Sequence, residues 1–276
     1  MSQTTVAILG GLAGLTIFLG LPVARVRGLK VSIQGFLNAV ATGVLIFLLI
    51  DILSKAGEPV RAALGKVHEG QFAGFAGLTG VYVGGLAVGL LGLTWFNRQF
   101  GSRLLARREP RGPGAAVAAK SPALPSARAL AVMIAIGLGL HNFSEGLAIG
   151  QSAAAGALAF TGVLVIGFGL HNITEGLGVA APLASREERP SWAFLGLAGL
   201  IGGGPTFLGT VLGFNFVSPY AFVLFLALAG GALIYVINEM FGVCKRLNTP
   251  RALATGVFAG FLAGFTTDLL LTYLGG

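Results

Sequence analysis

The sequence predicts an all-α integral membrane protein of eight transmembrane helices with both termini outside. Three observations predict it. Hydrophobic residues make up 55% of the 276 positions and charged residues only 10%, against about 25% charged in a typical soluble domain. Apolar runs of about 20 residues, long enough to cross a bilayer core as a helix, recur along the whole chain. Basic residues gather in alternate connections between those runs, as a fixed membrane orientation requires.

The first run, 4–23, is uncharged and is followed by Arg25, Arg27 and Lys30. Basic residues after the run, with none before it, favour a retained helix with an outside N-terminus over a cleaved signal. The second run, 34–53, contains Asn38, suited to interhelical hydrogen bonding, and ends near Asp51. The third, 72–96, carries Gly80-xxx-Gly84 and Gly85-xxx-Gly89, spacings that let helix backbones approach closely. Residues 97–128 hold Pro110, Pro113, Pro122, Pro125 and much of the basic charge, which predicts a flexible, solvated inside loop.

Runs four and five, 129–150 and 157–180, carry ionisable groups in apolar surroundings. Run six, 191–214, contains Gly202-Gly203-Gly204-Pro205, which suggests a broken helix with carbonyls open to an ion. Run seven, 219–242, ends near Glu239, and run eight, 252–274, carries Asp268 near its outer end. The whole chain, 1–276, reads as one transmembrane domain.

The net charge of +8 reports orientation and not a nucleic-acid partner. All but three of the 18 Lys and Arg fall in the inside connections 24–33, 97–128, 181–190 and 243–251. The exceptions, Lys55, Arg61 and Lys66, lie in the outside connection 54–71. An odd number of spans would scramble this pattern. The single Cys244 allows neither an intramolecular disulfide nor a thiolate metal site.

The chemistry is concentrated in one repeated phrase. Gly-Leu-His141-Asn142-Phe-Ser-Glu145-Gly-Leu returns thirty residues later as Gly-Leu-His171-Asn172-Ile-Thr-Glu175-Gly-Leu. At about 100° per residue, with His141 at 0°, Asn142 falls at about 100° and Glu145 at about 40°. The carboxylate thus lies between imidazole and amide on one helix face, and the spacing permits two adjacent sites bridged by glutamates. Both motifs begin near mid-helix on consecutive, antiparallel spans, an arrangement that recurs at transporter midplanes.

Ionisable groups in hydrocarbon need a partner or a purpose. One such motif could be polar glue between helices; two copies with an acid each point to a divalent ion. Imidazole, amide and carboxylate without thiolate suit Zn²⁺, Fe²⁺, Mn²⁺ or Co²⁺ and argue against Cu(I). HNxxE lacks the metalloprotease HExxH order, and no nucleophile accompanies it, so the chain reads as no enzyme and needs no catalytic cofactor. An intramembrane zinc-dependent hydrolase and a metal-binding sensor without transport are the competing readings. No nucleotide-binding motif is present, which argues against direct ATP coupling.

These motifs resemble the ZIP (Zrt/Irt-like) family of divalent metal transporters, of prokaryotic type, whose fourth and fifth spans typically carry HNxPEG-type sequences. The segment Gly230-Gly231-Ala-Leu-Ile-Tyr235-Val-Ile-Asn-Glu239 is similar to the family's seventh span. The resemblance implies transport of zinc foremost, with iron, manganese, cobalt and cadmium as alternatives, into the cytosol. It implies a multi-pass protein of the cell (inner) membrane and a homodimer. It also implies elevator-like alternating access, with spans one, four, five and six moving against two, three, seven and eight. Carried over by position, His141, Asn142, Glu145, His171, Asn172 and Glu175 form the transport site, with the metal as transported substrate.

The chain departs from the family in two places. Ser144 and Thr174 replace the motif prolines, so Leu140 and Leu170 keep their helical bonding. Gly204 stands where a sixth-span carboxylate is common, which predicts one strong metal site and a weak or absent second. Asp51 and Asp268 near the outer ends, and Glu239 near an inner end, are candidates for the metal path. Helix-end anchoring is the plainer role for Asp51, local capping or interface solvation for Asp268, and for Glu239 a structural ion pair weighs equally with a metal exit. His68, beside Glu69, reads as a solvated loop histidine.

Overall fold

The computed structural model describes residues 1–26, 30–101, 127–184 and 189–275, and no strand occurs among them. Among the described residues, eight helices are long and apolar enough to cross a membrane. We label them α1 (Gln3–Arg25), α2 (Val31–Gly65), α3 (Phe72–Phe96), α4 (Ala127–Ala154), α5 (Leu158–Ala184), α6 (Trp192–Asn215), α7 (Pro219–Leu247) and α8 (Pro250–Gly275). Most of the basic loop expected over 97–128, from 102 to 126, lies outside the described residues, as do Arg27 and Arg186.

Local chemistry sets the helix ends. Ser2, Ser191 and Ser218 cap α1, α6 and α7, their hydroxyls accepting from the amides of Thr5, Phe194 and Ala221 at 3.2, 3.1 and 3.3 Å. Each thereby satisfies an amide that the first helical turn leaves unpaired. Gly70 (φ 84°) and Gly156 (φ 77°) turn the chain between α2 and α3 and between α4 and α5, in the left-handed region that favours glycine.

Two elements differ from expectation. α2 does not end near residue 53; it runs 35 residues, to Gly65. At about 1.5 Å per residue it is some 50 Å long, well beyond the about 30 Å hydrocarbon core. Pro59 removes only its own amide bond to the Lys55 carbonyl, and the helix continues through it. α6 is not broken at Gly202-Gly203-Gly204-Pro205; it is one helix from Trp192 to Asn215. Its glycines serve close packing instead. A Cβ on Gly203 would collide with the Gly14 carbonyl of α1, and one on Gly202 with the Ile17 side chain.

The helices pack as two groups of four. α1, α4, α5 and α6 form one, α2, α3, α7 and α8 the other, and they meet where α4 faces α7 and α5 faces α2 and α8. Within each group, glycines from both helices of a pair rest on the partner's carbonyls. Gly146 sits against Thr206 and Gly209 against Phe143 (α4–α6), Gly176 against Ile17 and Gly20 against Ile173 (α1–α5). Gly43 sits against Val257 and Gly260 against Val40 (α2–α8), Gly89 against Leu228 and Gly231 against Leu86 (α3–α7). Between the groups no described glycine meets a carbonyl in this way. There Gly137 faces Ala232 at ordinary contact distance, 3.4 Å from the position of its Cβ, and the Phe143 ring lies 4.1 Å from that of Phe225. Asn38 adds one polar contact across the boundary, its Nδ2 donating to the Ala181 carbonyl at 3.4 Å as well as to Gln34 in its own helix.

Candidate metal site

His141 lies near the middle of α4 and His171 near the middle of α5. The i,i+4 spacing lays each glutamate one turn above its histidine on the same face. His141 Nε2 stands 3.2 Å from Glu145 Oε1, and His171 Nε2 stands 3.6 Å from Glu175 Oε1. The two imidazole rings meet edge-on across the helix pair, inclined at 60° with centroids 6.3 Å apart. One ligand atom each from His141, Glu145 and His171 falls within 4.8 Å of the others, and all three side chains are buried. Zn²⁺ takes N and O ligands at about 2.0–2.2 Å, so a modest closing of this triad suffices to hold an ion.

The triad fits a cation for a second reason. Nδ1 of His141 and Oε2 of Glu145 are buried without a hydrogen-bond partner, and His141 Nε2, His171 Nε2 and Glu175 Oε1 are buried with no more than the imidazole–carboxylate approaches of 3.2 and 3.6 Å. The amide oxygens of Asn142 and Asn172 are also buried without a partner. Buried polar atoms are nearly always paired, because leaving them bare costs free energy. This many unpaired donor atoms at one depth describe a ligand set.

The amide nitrogens are already engaged. Asn142 Nδ2 donates to Glu175 Oε2 at 2.7 Å and to the Gly202 carbonyl of α6 at 3.1 Å. Asn172 Nδ2 donates to the Ala13 carbonyl of α1 at 3.0 Å. Of the six motif residues, His141, Glu145 and His171 therefore converge as a triad. Glu175 and Asn142 form a bonded pair beside it, and Asn172 is tied to α1. The carbonyl that the glycine run of α6 offers is taken by Asn142.

The residues that replace the motif prolines act differently from one another. Thr174 Oγ1 donates to the His171 carbonyl at 2.6 Å, a local bond that can bend a helix. Ser144 Oγ is buried without a partner. On α1, Thr16 Oγ1 lies 2.6 Å from the Gly169 carbonyl and 2.7 Å from the Ala13 carbonyl, so its one proton serves one or the other and can tie α1 to α5 two residues before His171.

A small cavity of about 20 Å³ adjoins the triad, lined by Phe47, Asp51, Lys55, His141, Glu145, Phe168, His171 and Asp268. Asp51 and Asp268 thus share a cavity with the triad. Glu239 does not line it; it lies on α7 within reach of Tyr235, whose hydroxyl donates to it and accepts from Asn97 Nδ2 at 2.8 Å. His68 sits exposed in the turn Val67–Glu69. Sequence reading missed Lys55, which it placed in a loop. The signal was its i,i+4 spacing from Asp51, which only a continuing helix makes meaningful.

Compared with known families, residues 105–274 match the family described as ZIP Zinc transporter. No curated protein matches the chain. The family match takes in α4 to α8 almost entirely, and with them both HNxxE motifs and every residue of the triad. Over that length the match joins with eight membrane-crossing helices and a buried group able to hold a metal: the chain belongs to the ZIP zinc transporter family, a family of metal transporters and not of enzymes.

Proposed function

We propose that this protein carries divalent transition-metal ions across a cell (inner) membrane into the cytosol, zinc foremost, with iron, manganese, cobalt and cadmium as lesser substrates. The observation that carries the reading is the buried His141–Glu145–His171 triad with its unpaired donor atoms. Two imidazoles and a carboxylate are a common tetrahedral zinc set that leaves a fourth position open. Glu175, Asn142 and Asn172 supply further oxygens around it. Asp51 and Asp268 lead to it from the side that the charge pattern assigns to the outside, and Glu239 leads away from it.

The proposed motion is elevator-like. Glycine-on-carbonyl packing makes each four-helix group a tight body, while ordinary side-chain contact separates the two. A group that carries both metal-binding helices, bounded by a smoother surface, is suited to slide as a unit. The proposed assembly is a homodimer; α3 leaves Gly80, Gly84 and Gly92 facing open space, where a second helix can approach closely.

The test is metal flux into proteoliposomes containing the purified protein, with Zn²⁺, Fe²⁺, Mn²⁺, Co²⁺ and Cd²⁺ compared beside Glu145→Ala. Saturable flux that the variant loses is the expected result. Tight binding by the wild type with no flux of any metal would overturn transport in favour of a sensor.

A further inference from the structure

Lys55 places a positive charge in a cavity suited to cations. Its Nζ lies 2.7 Å from Asp51 Oδ2, one turn back on α2. Both residues line the same cavity as His141, Glu145 and His171, and Asp268 of α8 completes its charged lining. The ammonium is also within electrostatic reach of Glu145 and Asp268. At about 20 Å³ the cavity has room for roughly one water.

An i,i+4 acid–base pair on a solvated helix face would need no explanation, and is worth little. This pair is differently placed. The Lys55 side chain is 43% exposed and that of Asp51 19%, so the long stem can swing its charge outward to water while the carboxylate stays. Asp51, Glu145 and Asp268 bring a formal −3 that Lys55 reduces to −2; a divalent ion in place of the ammonium reduces it to −1, further than a monovalent ion does.

We propose that Lys55 is a specificity-determining residue of the metal path: a tethered cation that holds the Asp51 carboxylate at the mouth of the cavity until a divalent ion displaces it. A monovalent ion that displaces the ammonium exchanges one positive charge for another and gains little. A divalent ion brings one charge more. The pair thus selects by charge ahead of the triad, which selects by ligand chemistry. This inference rests on the divalent-metal reading of the triad.

The experiment compares Zn²⁺ affinity, by calorimetry on the purified full-length protein, and Zn²⁺ flux in proteoliposomes. Wild type, Lys55→Met, Lys55→Arg, and Lys55→Met in an Asp51→Asn background are measured with and without added NaCl. Removing the competing charge is expected to lower Kd and KM for Zn²⁺ about fivefold, the effect of losing one partly exposed ion pair. It is also expected to make binding more sensitive to Na⁺. Lys55→Arg keeps the wild-type values, and Asp51→Asn removes the effect of Lys55→Met. An unchanged or raised Kd in Lys55→Met, or an equal drop in the Asp51→Asn background, overturns the proposal. A lower melting temperature with unchanged Kd assigns the pair a structural role only. Absence of flux in the wild type overturns transport, while the Kd comparison still decides the role of Lys55.

Discussion

Asn142 donates to Glu175 across the α4–α5 pair at 2.7 Å, so the carboxylate of the second motif is held by the amide of the first. Glu145 has no such partner for its Oε2, and it is Glu145 that stands with both histidines. Two glutamates at equivalent places in the repeat therefore have unequal surroundings.

Their substitutions should differ accordingly. Glu145→Gln removes the only carboxylate of the triad and is expected to abolish measurable Zn²⁺ binding. Glu175→Gln keeps an oxygen to accept from Asn142 and should cost about 10–100-fold, as for the loss of an outer partner of a metal site. Calorimetry on the two variants checks the order; equal losses would mean that both carboxylates ligate the ion directly.

Gly204 offers a gain-of-function counterpart. Nothing lies within 4 Å of where its Cβ would be, and the family resemblance implies a carboxylate at its place. The expected result for Gly204→Glu is a rise from one bound Zn²⁺ per chain to two, read by metal analysis after equilibrium dialysis. An unchanged stoichiometry would show that Asn142 and Glu175 remain closed on each other.

How much of this was legible in the sequence depended on the kind of signal. The repeated HNxxE phrase specified its own helix face, and the structure brings His141, Glu145 and His171 together from it. The length of α2 was not legible. Lys55, Glu58, Pro59 and Arg61 have the composition of a solvated connection, yet polar residues continue a helix readily once it leaves the bilayer, and a single proline costs one hydrogen bond. With α2 cut short, the place of Lys55 at the cavity could not be read. In α6, Gly-Gly-Gly-Pro resembles a break because glycine is flexible in isolation. Two of them, Gly203 against Gly14 and Gly202 against Ile17, let α6 and α1 pack closely, a tertiary fact that no local pattern encodes.

That use of glycine is directly testable. A Cβ at Gly146 has the Thr206 carbonyl and the Thr210 amide in its way, both backbone atoms that cannot rotate aside. Gly146→Ala should destabilise the protein by about 1–3 kcal/mol, the usual cost of overpacking. Gly196→Ala, on α6 with nothing within 4 Å, should be neutral or slightly stabilising through helix propensity. Thermal unfolding in one detergent compares them. Similar melting temperatures for the two would mean that α4 and α6 are not locked as described.

The boundary between the groups can be tested by tying it. The Cβ position of Gly137 on α4 lies 3.4 Å from Cβ of Ala232 on α7, close to the separation a disulfide requires. Within the metal-carrying group, Gly11 on α1 stands 3.9 Å from Cβ of Phe207 on α6 by the same measure. In a background lacking Cys244, the pair Gly137→Cys with Ala232→Cys should oxidise readily and arrest Zn²⁺ flux, with recovery on reduction. The pair Gly11→Cys with Phe207→Cys should oxidise and leave flux intact, because it joins helices that the proposed motion carries together. Both oxidised proteins should still bind Zn²⁺, since neither bond touches the triad. Undiminished flux through the tied α4–α7 boundary would rule out sliding of one group against the other and require the ion to pass between fixed helices.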